Sequence, residues 1–275
     1  MFDLTGDVFI VAGAGGQGIG EAIARAVAAA GARVVCVDRA AERATAVAAA
    51  VGGLAIAADV TVEDEVLRVI QQAEESYGRV TGLVDAVGGS RFVPIPELAS
   101  DVWAQQFAVN LTHAYLLGRH VGARLAEQRR GTMTFVSSIA GSFASRAYPA
   151  YAAAKAALNS WVGSLAEEYG TCGVRVNAVA PGPTLTRRLA DALSDRARQD
   201  IVRPTILNRF ATPAEIASAV LFLASPAGGY VTGQTILVDG GASIRDPMYG
   251  RSSGAVESDL VAAAQRSAAT GSWWT

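Results

Sequence analysis

Tyr151 and Lys155 stand four positions apart in Tyr-Ala-Ala-Ala-Lys-Ala-Ala-Leu, a run of strong helix formers. That spacing puts both side chains on one helix face, one turn apart. A phenol is a poor base at neutral pH, since its reference pKa is about 10. A cation about 4 Å away at an effective dielectric of about 20 is worth roughly 4 kcal/mol, or about three pK units before desolvation. The pairing is therefore expected to lower the Tyr151 pKa, so that the phenol takes a proton from an alcohol or gives one to a carbonyl near pH 7. By itself the pair also reads as an ordinary surface helix. Ser138 changes that balance. It follows the strand-like run 132–137, and ligands bind at the carboxyl ends of strands in open α/β sheets. Its hydroxyl can hydrogen-bond a substrate oxygen there, whereas Ser137 points the other way if the strand persists.

A second cluster lies near the start. Gly13-Ala14-Gly15-Gly16-Gln17-Gly18-Ile19-Gly20 follows one strand-like run and opens a helical one. Glycines there permit positive φ and let backbone N–H groups approach a pyrophosphate at the helix N-terminus. Asp38, ending the second strand-like run, is placed to bind the adenosine ribose hydroxyls. Its charge repels a 2′-phosphate, and the glycine loop carries no Lys or Arg to compensate, so the expected cofactor is NAD. Arg39 is the contrary residue: it could reach a phosphate, or be a solvated cation at a helix start. Asp59-Val60, after the third strand-like run, could hold the adenine edge, or Asp59 could cap the next helix.

Holding these groups together takes a particular framework. Strand-like runs fall at 8–12, 33–38, 54–58, 83–87, 132–137, 175–180 and 235–238, with helical stretches at 19–30, 41–51, 62–77, 100–128, 151–169 and 213–223. Strand and helix in alternation imply an α/β fold: one doubly wound, Rossmann-type parallel sheet with helices on both faces. The strands are nearly continuous apolar runs, as expected when helices cover both faces. Residues 185–207, rich in Arg and Asp, read as a helical flap inserted into a single domain spanning 1–245. Residues 246–275 read as a C-terminal extension, with a helix near 257–268 and a terminal Trp273-Trp274.

In this order and at these intervals the pieces resemble the short-chain dehydrogenase/reductase family over about residues 4–243. The matching residues are the glycine loop, Asp38, Asp59-Val60, Asn110, Ser138, Tyr151-x-x-x-Lys155, Asn177-Ala178-Val179-Ala180-Pro181-Gly182 and Val238-Asp239-Gly240-Gly241. The resemblance implies a catalytic tetrad of Asn110, Ser138, Tyr151 and Lys155, with Asn110 holding a water in a proton relay behind Lys155. It also implies that Lys155 binds the nicotinamide ribose, while Thr186 and the backbone at 183–184 position the carboxamide. The expected cofactor contacts are then Gly13, Gly15, Gln17, Gly18, Ile19, Asp38, Arg39, Asp59, Val60, Val87, Gly88, Tyr151, Lys155, Pro181, Gly182, Thr184 and Thr186. Substrate contacts are expected from Gly89, Ser90, Arg91, Ala140, Tyr148 and the flap. Three departures stand out. The usual Thr-Gly opening reads Ala12-Gly13, the loop carries one extra residue before Gly18, and the usual Asn-Asn-Ala-Gly reads Asp85-Ala86-Val87-Gly88. The last two segments support each other beneath the cofactor in the family, which implies a rebuilt support here.

Composition sets the outer bounds. The chain has 275 residues, 51% apolar and 17% charged, with a net charge of -2, which suits a compact enzyme and gives no footprint for nucleic acid or an anionic membrane. With no signal peptide or membrane span legible, a cytoplasmic location is expected. Cys36 and Cys172 read as small buried hydrophobes. His113 and His120, seven apart, read as packing or interface residues, and no metal is expected. The expected activity is NAD(H)-dependent interconversion of a secondary alcohol and a ketone, with a small-molecule substrate and Tyr151 as general acid/base. Alternatives are a 3-oxoacyl thioester reductase and a catalytically silent dinucleotide-binding protein. The resemblance further implies a homotetramer built on the helices that carry Asn110 and Tyr151.

Overall fold

All five residues of β1 (Val8–Ala12) are buried, and they alternate between two cores. Val8, Ile10 and Ala12 face one hydrophobic cluster, Phe9 and Val11 the other. A strand with helices on both faces has no position left for a polar residue, hence its unbroken apolar run. The computed structural model describes residues 1–244 together with Ala262, Ala263 and Gln265. The expected boundary at 245, most of the extension 246–275, and Trp273-Trp274 lie outside the described residues.

From β1 the chain runs through α1 (Ile19–Ala29), β2 (Arg33–Asp38), α2 (Ala41–Val51), β3 (Leu54–Ala57), α3 (Glu63–Tyr77) and β4 (Gly82–Asp85). It continues through α4 (Ser100–Phe107), α5 (His113–Gln128), β5 (Gly131–Val136), α6 (Pro149–Gly170), β6 (Val174–Pro181), α7 (Arg187–Ala192), α8 (Asp195–Val202), α9 (Pro213–Ala224) and β7 (Thr235–Val238). The strands form one parallel sheet in the order β3-β2-β1-β4-β5-β6-β7. The chain winds outward from β1 to β3, then returns to pair β4 with β1. That reversal opens a crevice at the carboxyl ends of β1 and β4, where ligands bind in such sheets.

Several expected boundaries move by a residue or two, and four differences bear on the site. Strand 83–87 ends at Asp85, whose Oδ1 accepts the Val87 N–H at 3.1 Å and turns the chain out of the sheet. Strand 132–137 ends at Val136. Helix 151–169 begins earlier, at Pro149, which occupies the first turn where its missing N–H costs nothing. The expected single helix 100–128 is broken into α4, a π turn at Ala108–Thr112, and α5. Within that turn the Asn110 amide Nδ2 donates to the Gln106 carbonyl at 2.9 Å, and single π turns interrupt helices at such points, often at functional sites. The flap contains α7 and α8, joined to the body by a bridge between Thr184 and Ala211. Cys36 is buried in β2, whereas Cys172 is only half-buried, because it sits in the turn after α6 rather than in a core element.

Candidate active site

The glycine loop connects β1 to α1 by close backbone approach. A Cβ on Gly20 would lie 2.0 Å from the Gly13 carbonyl oxygen, and one on Gly13 would meet Ala86 and Val87 backbone at 3.0 Å. The loop thus rests on the Asp85–Gly88 segment, so the two departures from the family pattern touch each other. The extra residue shows in Gln17, which takes a positive φ of 44°. Gly15 turns away from the crevice: its N–H donates to Asp38 Oδ2 at 3.1 Å, and a Cβ there would strike the same carboxylate. The other Asp38 oxygen accepts the Ala40 N–H at 2.9 Å.

A cavity of about 420 Å³ runs along this end. Gly13, Gly18, Ile19, Asp38, Arg39, Asp59, Val60, Val87, Gly88 and Thr186 line it, while Gly15 and Gln17 do not. Asp59 does not cap α3, which starts after Val62 without a side-chain cap. Its Oδ1 instead binds the backbone N–H and hydroxyl of Thr61. Thr186 caps α7 through the Leu189 N–H and packs over Gly18, 2.9 Å from where a Cβ would be.

At Val87, Gly88 and Thr186 this cavity meets a larger one of about 1140 Å³. Gly89, Ser90, Ser138, Ala140, Tyr148, Tyr151, Lys155, Pro181, Gly182 and Thr184 line that second space. Arg91 does not; its backbone N–H is held by Gln106 Oε1 at 3.1 Å. Asn110 lies beneath, fully buried, its amide exchanging hydrogen bonds of 3.0 and 2.9 Å with the Gly89 backbone. The expected flap contributes Ile201, while sequence reasoning missed Phe92, Phe143 and Arg146, together with Ala263 from the far end of the chain. They come from separate loops and elements with no shared spacing, so no local signal marks them.

Around Tyr151 the groups converge. Ser138 is in extended backbone, its Oγ accepting the Ala140 N–H at 3.1 Å, and its hydroxyl acts on the Tyr151 phenol against the effect of burial. Ser137 points the opposite way, donating to Asn159 Oδ1 at 2.6 Å. Tyr148 stands edge-on to Tyr151 at 5.8 Å and to Phe92 at 5.1 Å. Lys155, the only lysine in the chain, is 2% exposed and donates Nζ to the Val136 carbonyl at 2.9 Å.

The expected lowering of the Tyr151 pKa is not what the geometry produces. Burial pushes the phenol up to about 12; the Ser138 hydrogen bond opposes the rise and Tyr148 adds to it. Lys155 Nζ sits 5.8 Å from the Tyr151 ring centroid and is held on a backbone carbonyl. Burial brings Lys155 itself down to about 8, with Asp85 acting in the other direction. Desolvation is the largest effect on both groups, and spacing along a helix cannot reveal it.

With this geometry in view, comparison with known proteins identifies the family. A family model described as enoyl-(acyl carrier protein) reductase matches residues 13–243. D-threitol dehydrogenase of Mycolicibacterium smegmatis is 37% identical over 89% of this chain and 95% of its own. 2-(S)-hydroxypropyl-CoM dehydrogenase 3 of Xanthobacter autotrophicus is 36% identical over 86% and 97%. A solved 7α-hydroxysteroid dehydrogenase, complexed with NADH and 7-oxo glycochenodeoxycholic acid, superposes with a TM-score of 0.83 at 32% identity, covering 87% of this chain and 95% of that one. The chain belongs to the short-chain dehydrogenase/reductase family of oxidoreductases.

Proposed function

We propose that this protein is an NAD(H)-dependent oxidoreductase that interconverts a secondary alcohol and a ketone, with Tyr151 as the acid–base group. The observation that carries the reading is that Tyr151, Ser138 and Lys155 together line the larger cavity, which meets the smaller one at Val87, Gly88 and Thr186. The glycine cradle fits a dinucleotide: Gly13 and Gly18 line the smaller cavity with backbone, and neither position leaves room for a Cβ against its neighbours. Asp38 and Asp59 would hold the adenosine end, and Lys155, Thr184 and Thr186 the nicotinamide end. Bound there, the nicotinamide supplies or accepts the hydride.

The chain's own residues manage the proton. In the free protein Tyr151, with a pKa raised to about 12, is a neutral phenol, the form that gives a proton to a ketone oxygen. In the oxidative direction the phenolate, stabilised by a cationic Lys155, takes the proton from the alcohol and becomes the phenol again. Ser138 fixes the substrate oxygen with its hydroxyl. Asn110 anchors the Gly89 backbone, and so the loop between the two cavities. Phe92, Phe143 and Tyr148 give the substrate end apolar walls, suited to a small or moderately hydrophobic alcohol. Relatives named for D-threitol and for a 7α-hydroxysteroid support a hydroxyl-bearing substrate, and the NADH complexed with the latter supports the cofactor.

The test is Tyr151→Phe, assayed by NAD+ reduction across secondary alcohols and by the reverse ketone screen. Turnover is expected to fall by about 10²–10⁴, with NAD binding retained in calorimetry. Near-wild-type turnover in the variant would refute the assignment.

A further inference from the structure

Asp85 ends β4 and His113 begins α5, and the acid–base chemistry above uses neither. Asp85 Oδ2 and His113 Nδ1 lie 2.7 Å apart, and each side chain is 1% exposed. A carboxylate so deeply buried needs compensation. One oxygen receives the Val87 N–H, the other the imidazole.

The pair sits directly behind Lys155. Asp85 pairs in register with Phe135, and the next residue, Val136, accepts the Lys155 hydrogen bond. Three residues beyond Asp85, a Cβ on Gly88 would lie 3.1 Å from Lys155 Nζ and 3.0 Å from Asn110 Oδ1. His113 directly follows the π turn that carries Asn110. The pair therefore ties the strand end under Lys155 to the helix that holds Asn110.

We propose, resting on the reading of Lys155 as a working cation, that Asp85 and His113 are a positioning pair for Lys155. His113 donates its Nδ1–H to the carboxylate, and the carboxylate holds the opposite charge against the ammonium. The other ring nitrogen decides where the proton sits. His113 Nε2 is buried and meets no hydrogen-bond partner among the described residues. An unpaired lone pair there costs less than an unpaired, charged N–H, so the ring is neutral with its proton on Nδ1. The three buried groups then sum to zero charge: Asp85 anionic, His113 neutral, Lys155 cationic. Among the described residues, Asp85 from β4, with His113 from α5 bonded to it, and Tyr151 from its own helix are the titratable groups brought around Lys155, and β5 offers it the Val136 carbonyl. The pull of Asp85 on Lys155, opposing burial, agrees with this arrangement.

The chain has two histidines and one lysine, so NMR reads the pair directly in the unliganded protein. In [15N]histidine protein at pH 8, with His120→Gln for assignment, His113 is expected to show the Nδ1–H tautomer. In [13C]lysine protein the single Cε resonance titrates Lys155. Asp85→Asn, which installs the residue the family commonly carries there, is expected to leave the fold intact by circular dichroism. It should lower the Lys155 midpoint by about one pH unit, a tenfold loss of proton affinity, and remove the His113 Nδ1–H preference. An Nε2–H tautomer or an imidazolium at pH 8 in the wild type would overturn the proposal. So would an unchanged or raised lysine midpoint in a folded Asp85→Asn variant. Should that variant unfold, His113→Gln serves instead: it keeps a donor for the carboxylate and must hold the midpoint within about 0.3 unit, whereas His113→Leu must lower it. Neither resonance depends on substrate or cofactor. Absence of turnover in the wild type would count against the proposed reaction and leave these results standing.

Discussion

Replacing Lys155 by methionine should make the free protein more stable while abolishing its activity. The ammonium is 2% exposed, and burial brings its pKa from 10.5 down to about 8. That gap corresponds to about 3 kcal/mol against the charged form in the folded state. The sign follows from proton counting. Below pH 8 both states carry the proton and the folded state bears the whole cost. Between pH 8 and 10.5 the folded chain has released the proton while the unfolded chain still holds it, so the cost fades. Methionine fills a similar volume without charge, but it forfeits the hydrogen bond to the Val136 carbonyl, worth about 1 kcal/mol. The net gain is about 2 kcal/mol at pH 7, which for a chain of this size is about 4–8 °C in Tm. Scanning calorimetry of both proteins from pH 6 to 10.5, without cofactor, measures it. The variant should melt higher at pH 7, and the difference should shrink across pH 8 to 10.5. A variant that melts lower than wild type at pH 7, by an amount constant with pH, would refute the account of Lys155 as a destabilised cation.

Cofactor choice should follow Asp38. Asp38→Ala removes the repulsion of a 2′-phosphate, and the preference for NAD(H) over NADP(H) should narrow by at least about tenfold; a wild-type preference for NADPH in steady-state kinetics would end that assignment. The variant also strips the Gly15 and Ala40 N–H groups of their acceptor, so NAD(H) affinity itself should fall in calorimetry. A homotetramer is the expected assembly, with Trp103 and Tyr115 exposed on α4 and α5 as apolar area for symmetry mates. Light scattering at micromolar concentration should give four chains, and Trp103→Asp should reduce the mass; a monomeric wild type would contradict this.

The order of strands and helices was legible because each strand must present apolar side chains to helices on both faces, and β1 with its two cores shows why no alternation was needed. The glycine loop was legible too, since only glycine tolerates the approach of Gly20 to the Gly13 carbonyl. Tyr151, Lys155 and Ser138 were found through one helical spacing and one strand end, both local patterns. The tertiary structure alone decided the rest. The pKa of Tyr151 rises because the surrounding elements remove water from a phenol that spacing had only placed near a cation. Asn110 reaches Gly89 because the helix opens into a π turn, which no residue type announces. Phe92, Phe143 and Ala263 line one cavity from three parts of the chain. Asp85 and His113, 28 positions apart, read as a changed support residue and a packing histidine. They became a buried ionisable pair only when β4 and α5 were packed side by side, because burial and proximity are properties of the folded neighbourhood and not of the residue.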